Sequence, residues 1–417
     1  MIITNSLGSN YTSGDRILAL KLLFQPWKWK QGKELETLKS VIPAKVGIYL
    51  NRFRVKPGMT VELFLKGRHA IYEALRKLGI GQDDEVIVQA FTCVAVVQPI
   101  LDLGATPIYV DVDTKNLNPS FEQIKKSATS KTKAIILQHT LGYINRENDE
   151  IVKWCRNHKI FIIQDLAHFF IPTPKPTTNN QQLIASANAI ILSFSQDKVI
   201  DGVSGGALIA SKILPLPEKL NDSNHLILIE IGKHLLYPIC TWLIRSTYQI
   251  GIGKFRVGKV IHWLAKFFGL MNSPVDAPTT PTALPNALAA LTFNQLVRLD
   301  KIIVHRRNIA LTYGRILNRK FKLVIIDDIK NGSNLRYPIW VGNRDELEKK
   351  LTRHGFYLMD HWYDAPVSPE RVSDSQVKYQ PGSCPNTENL SEHIFNLPTH
   401  ISISNEKAEC LAKLINQ

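Results

Sequence analysis

Residues 160–165 read IFIIQD, residues 189–198 read AIILSFSQDK, and residues 204–211 read SGGALIAS. Each contains a short, nearly continuous apolar run. Such a run suits a strand covered on both faces better than one with a wet side. The first run ends in an acid, Asp165. The second is followed by Lys198, and the glycine pair Gly205-Gly206 opens the third. A carboxylate and an amine are thereby presented from neighbouring strand ends.

The same grammar extends on the N-terminal side. From Gly67 onward helices and strands alternate: AIYEALRKLG before EVIVQ, TCVAVVQPILDLG before TPIYVDVD, SFEQIKKSAT before KAIILQH, and NDEIVKWCRNHK before IFIIQD. Alternation of this kind predicts an α/β lobe built on a mostly parallel, doubly wound sheet, whose ligands sit at the carboxyl ends of the strands. His139, Asp165 and Lys198 all fall at or just beyond such ends. After Ser211 the alternation stops. From Asn286 a long helix is expected over ALAALTFNQLVRLDKIIVHRRNIALTYGRIL. A smaller C-terminal α+β domain follows, with strands at KLVII and RYPIWV, a helix at RDELEKKLTRHG, then LSEHIFNLP and a last helix EKAECLAKLI. The expected division is 1–60, an N-terminal segment of one or two short amphipathic helices; 61–215, the α/β domain; 216–285, an apolar basic insertion; and 286–417, the small domain.

Composition narrows the function classes. At 417 residues, 44% apolar and 21% charged, the chain has the make-up of a soluble enzyme with more than one lobe. Five scattered cysteines, with no pair at ligand or redox spacing, argue against structural zinc and fit a reducing compartment. The opening MIITNSLGSNYTSGD is polar and shows no signal-peptide pattern, so a cytoplasmic protein is expected. The net charge of +15 suits phosphorylated metabolites or anionic lipid. No nucleic-acid-binding motif accompanies it.

Much of that charge lies in the first 77 residues and in 231–275. No Asp or Glu occurs between Glu230 and Asp276, and Trp242, Trp263, Phe267 and Phe268 are interleaved with lysine and arginine. Charges interrupt the apolar runs before the roughly 18 residues of a spanning helix are reached. A helix pair is expected here, resting in a bilayer interface at the inner face of the membrane, packing on a second subunit, or forming a buried hairpin.

Lys198 and Asp165 together match the needs of pyridoxal phosphate. The lysine would hold the aldehyde as a Schiff base, and the acid would keep the pyridine nitrogen protonated. The competing role for Asp165 is as the N-cap of a helix beginning at LAHFF. Gly67-Arg68-His69 opens a helix whose N-terminus would seat the phosphate, with the Ser193 hydroxyl beside it.

Several stretches resemble the DegT/DnrJ/EryC1/StrS family, pyridoxal-phosphate enzymes of the aspartate aminotransferase fold (fold type I). They are LGIGQDDEVIVQAFTCVAVVQPILDLGATPIYVDVD, IIQDLAH, SFSQDKVIDGVSGGAL, LPNALAALTFNQLVRLDKIIVHRR, RDELEKKLTRHGF and FNLPTHISIS. The resemblance implies Lys198 as the Schiff-base lysine and Asp165 as the pyridine partner. It implies His168 at the ring oxygen, Ser193 with the Gly67, Arg68 and His69 backbone at the phosphate, and Asn286 reaching across a homodimer. It implies transfer of an amino group from glutamate or glutamine to a keto-sugar on a nucleotide or lipid carrier, in surface polysaccharide or glycan synthesis. Another pyridoxal-phosphate reaction, a dehydration or lysis, and a non-catalytic membrane-associated regulator are the alternatives. Two departures stand out at the site. Arg68-His69 replaces the usual Thr-Ala, and Cys93 stands where a ring-stacking aromatic is usual, so either its thiol packs there or Phe91 substitutes. The third departure is the basic stretch 225–275.

Overall fold

The computed structural model describes residues 2–45, 59–170, 187–211, 226–252, 255–271, 277–359 and 361–417. Its centre is a seven-stranded sheet in the order Met59–Phe64, Gly206–Ser211, Ala189–Ser193, Phe161–Asp165, Thr132–Gln138, Glu85–Gln89 and Thr106–Val110. The last five run parallel, and Gly206–Ser211 runs antiparallel to both of its neighbours. This is the expected α/β architecture.

The reason lies in the side chains. In Ala189–Ser193, Ile190 and Leu192 join one apolar cluster and Ile191 another on the opposite face; Thr132–Gln138 divides Ile135 and Leu137 from Ala134 and Ile136 in the same way. Helices Gly67–Lys77 and Val94–Asp102 contribute Ala70, Ala74, Leu75 and Ile100 to one layer. Helix Ser13–Leu23 and the segment around Leu284–Ile303 contribute to the layer on Ile190 and Leu192. Strands buried on both sides cannot alternate in polarity, so continuous Ile and Val are required.

Three sequence expectations need correction. The boundary expected at 60/61 falls inside a sheet strand, Met59–Phe64, whose first two residues the expected division assigns to the leading segment. The strand's alternation of Thr60 and Glu62 with Val61 and Leu63 carried the signal. The long helix from Asn286 is two helices, Asn286–Leu296 and Leu299–Ile316, broken at Val297-Arg298. The break turns the first half toward Lys33–Lys45 and the second toward the last helix, Asn405–Asn416. Arg298 at the corner is tied to buried Asp15 at 2.5 Å. KLVII forms only a single bridge, Lys322 to Ile339, because the chain enters helix Ile326–Asn331 immediately afterwards. The boundary expected at 215/216 lies outside the described residues.

The C-terminal part has the expected α+β character, with the antiparallel pair Arg336–Trp340 and Ile394–Pro398 flanked by helices. It reaches the large sheet domain through Val367–Ser368, which pairs with Thr92–Cys93. It is also joined by the N-terminal Ile3–Thr4, paired with Phe356–Tyr357.

One close approach fixes how the first α/β helix meets the sheet. A Cβ on Gly206 would lie 2.7 Å from Gly67 Cα and N and from the Lys66 carbonyl carbon. These are backbone atoms that cannot swing aside. Gly206→Ala is expected to cost about 1–3 kcal/mol, read from the urea midpoint. Gly342→Ala, where the added Cβ meets open space, is expected to change stability by less than about 0.5 kcal/mol.

Candidate active site

The parallel strands end at one cavity of ≈ 690 Å³, within the range of small-molecule sites. Asp165, His168, Ser193, Lys198, Gly67 and Arg68 all line it, and so does Cys93. Residues far apart in sequence are thus gathered by strand register. Asp165 pairs with Ile191 across the two central strands, and Ser193 and Lys198 follow within a few residues.

The Lys198 loop is clipped in place. Lys198 N–H donates to the Ser195 carbonyl at 3.3 Å, and Asn10 donates to the Lys198 carbonyl at 2.9 Å. The buried Asp201 carboxylate accepts the Asp197 and Val203 N–H groups at 2.9 and 3.0 Å and is bonded by the Tyr11 hydroxyl.

The amine itself points inward. Lys198 Nζ lies 2.8 Å from His168 Nε2, and the Leu141 N–H donates to His168 Nδ1 at 3.2 Å. That donor forces Nδ1 to accept, so a neutral imidazole carries its proton on Nε2 and donates it to Lys198. Burial, with the nearby Lys198 and Arg336 charges, holds the His168 pKa well below its ordinary value. Burial likewise lowers Lys198. Both directions agree with a neutral amine, the nucleophilic form.

Asp165 is buried, and burial raises its carboxyl pKa while the Ala167 N–H and the Lys198 charge pull it down. Its Oδ1 accepts the Ala167 N–H at 2.9 Å. This is a two-residue turn rather than a helix cap, since no helix occupies the described residues after the strand up to Phe170.

Helix Gly67–Lys77 opens on the cavity, and its N-cap residue Lys66 makes no side-chain cap bond. A Cβ on Gly67 would sit 3.2 Å from Ser193 Cβ and Oγ. The absence of a side chain therefore lets this helix end close on the serine hydroxyl. An uncapped helix N-terminus beside a hydroxyl, a buried acid and a buried lysine amine in one cavity fit the donor set of pyridoxal phosphate.

Other expected residues are placed elsewhere. His69 is buried beneath the helix, its Nε2 donating to the Pro278 carbonyl and its Nδ1 accepting the Thr282 N–H. Its own N–H is bonded to the Lys66 carbonyl. It shapes the wall and does not line the cavity. Asn286 also lies away from the cavity: its Oδ1 accepts Leu35 N–H, and its Nδ2 donates to the Lys28 carbonyl and to Glu34. His139 is buried against Gln164 at 2.8 Å. Phe91 is fully buried, edge-on to Tyr363, so of the two alternatives Cys93 is the one at the cavity.

The aromatic surface comes instead from Trp362 and Tyr363, which the sequence reading missed. Trp362 is stacked on His168 with 5.4 Å between ring centroids, and Lys198 Nζ lies 4.5 Å from the Trp362 centroid. The only signal was an aromatic cluster, HWYD, in a loop.

The comparisons agree with this geometry. The chain matches the DegT/DnrJ/EryC1/StrS aminotransferase family over residues 64–212 and 268–416. It is 26% identical over 413 residues to a GDP-perosamine synthase of Escherichia coli O157:H7, covering 95% of this chain and 97% of the relative. It is 25% identical over 349 residues to the spore coat polysaccharide biosynthesis protein SpsC of Bacillus subtilis, covering 82% and 80%. The fold is shared with NtdA of Bacillus subtilis, solved with bound cofactor PMP, at a TM-score of 0.68 and 20% identity over 99% of this chain and 84% of that one. The chain belongs to the DegT/DnrJ/EryC1/StrS family and is a pyridoxal-phosphate-dependent aminotransferase.

The buried histidines predict an acid limit to stability. Burial lowers His69 and His139 from 6.5 to about 4. The unfolded chain therefore takes up these protons first as pH falls. Stability is complete above about pH 6.5 and is lost between there and about 4, by up to about 1.4 kcal/mol per pH unit per histidine. Urea midpoints at pH 7 and pH 5 measure the loss, and His139→Gln is expected to flatten it.

Proposed function

We propose that this enzyme moves an amino group from glutamate or glutamine to the keto group of a nucleotide-linked sugar, for surface polysaccharide or glycan synthesis. One observation carries the proposal: a buried lysine amine 2.8 Å from a histidine of fixed tautomer, in the same cavity as a buried aspartate. Pyridoxal phosphate, when bound, supplies an electron-accepting ring and an aldehyde that exchanges oxygen for nitrogen.

The chain's own groups do the rest. Lys198 would hold the aldehyde, and its Nζ would carry a proton to and from the reacting carbon. Asp165 would keep a proton on the ring nitrogen. His168 orients Nζ, and the Trp362 ring excludes water from it. Gly67, Arg68 and Ser193 seat the phosphate. Lys66, Arg68 and Lys233 give the cavity wall positive charge, which suits a diphosphate. The nucleotide-sugar assignment draws on the printed names of the relatives, GDP-perosamine synthase among them. A homodimer is part of the proposal.

The purified holoenzyme is expected to be yellow, to bleach with glutamate in a single turnover, and to regain colour with a nucleotide-linked keto-sugar. Persistence of the colour with every amino donor would exclude transamination. Borohydride should fix the cofactor to the peptide containing Lys198, and Lys198→Ala should abolish that adduct. Asp165→Asn is expected to slow the glutamate half-reaction by about a hundredfold or more.

A further inference from the structure

The family match leaves residues 1–63 and 213–267 uncovered, and the described parts of these two stretches pack on each other. Helix Ser13–Leu23 lies against helix Leu226–Thr247, which in turn carries helix Val257–Phe267. Most of the large apolar side chains exposed among the described residues belong to these additions.

Helix Val257–Phe267 is inside out for a soluble protein. Its buried residues are the small ones, Gly258 and Ala265. A Cβ on Gly258 would meet the Ile244 carbonyl at 2.5 Å, so the two helices are in backbone contact there. The large residues point away. Trp263 is 63% and Phe267 71% exposed, their rings stacked at 5.7 Å, with Phe268 beside them and Ile252 at the preceding turn 90% exposed. Trp242 and Leu243 are exposed on the longer helix, and Arg16 covers the Trp242 ring at 5.4 Å. Exposed apolar surface of this size marks a docking site.

Charge selects the occupant. Lys259 and Lys266 are exposed on the same helix as the outward Trp and Phe, and no acid occurs from 231 to 275. Two copies meeting through a two-fold axis would bring this face onto itself, like charge against like charge, with no carboxylate to answer it. Protein interfaces also deplete lysine at their centres. An anionic bilayer answers both features, taking Trp and Phe into the acyl boundary and lysines to the headgroups. No described helix is long and apolar enough to cross a membrane, so the contact is interfacial.

We infer that the outer face of helix Val257–Phe267, with Phe268 and the exposed Trp242 and Leu243, docks this enzyme on an anionic lipid surface. The same helix pair lines the cavity through Lys233, His234 and His262. Docking would therefore hold the reaction site about one helix diameter, ~10 Å, from the headgroups.

The test is flotation of the full-length holoenzyme with vesicles of phosphatidylglycerol and phosphatidylcholine, against phosphatidylcholine alone. Binding is expected only with the anionic lipid, and to weaken with salt. Trp263→Ser with Phe267→Ser, and separately Lys259→Glu with Lys266→Glu, should each lower vesicle affinity by about tenfold or more. Neither pair should alter the oligomer by light scattering or the glutamate half-reaction with soluble substrate. The half-reaction reports the fold and the active site independently of docking. Failure of the intact holoenzyme to float overturns the inference. So does a loss of oligomer in these variants with vesicle binding unchanged, which would give the face to a second copy.

Discussion

The site depends on holding one primary amine inside the protein, where burial lowers its pKa. An isolated ammonium at Lys198 would be strongly disfavoured by burial, and the structure answers with a directed donor. Leu141 N–H fixes the His168 tautomer, and His168 then offers its Nε2 proton to the amine. Each link in that chain is set by backbone position. Leu141 follows the strand Thr132–Gln138, His168 follows Phe161–Asp165, and Lys198 follows Ala189–Ser193. A slip in the register of these parallel strands would move the donor and the acceptor apart, so the chemistry is bound to the packing of the sheet.

The two lobes share responsibility for that environment. The sheet domain supplies amine, acid and phosphate cradle; the C-terminal part supplies the aromatic cover. Trp362 is anchored through its carbonyl by Asn396, on the strand Ile394–Pro398. Tyr363 lies near both Gln138 and His168. With Cys93 small and capping helix Val94–Asp102 at its Ala95 N–H, that wall of the cavity carries no aromatic ring. The exposed surface of the added helices follows a separate constraint: close helix contact at Gly258 leaves the large side chains of Val257–Phe267 no interior to occupy.

Short apolar runs rich in Ile, Val and Leu, most of them alternating with helical periods, pointed to a doubly covered parallel sheet, and that placed Asp165 and Lys198 at strand ends. The acid, the lysine, the glycine and the serine were legible because their positions follow from local periodicity. Asn286 and the His69 backbone were named from the family resemblance; the Asn286 side chain is engaged by the Lys28–Leu35 segment and the His69 N–H by the Lys66 carbonyl, partners that no local pattern announces. Trp362 left almost no trace, since an aromatic in an irregular loop has no period to betray where it packs.

Sequence by itself determined the sheet, the order of its strands' chemistry and the nature of the amine and acid, because these depend on neighbours a few residues away. Tertiary structure alone decided the surroundings of the Lys198 amine, the identity of the covering ring and the outward turn of Trp263 and Phe267. Each of those depends on electrostatics, stacking or helix contact between segments distant along the chain, where only the folded geometry sets the distances.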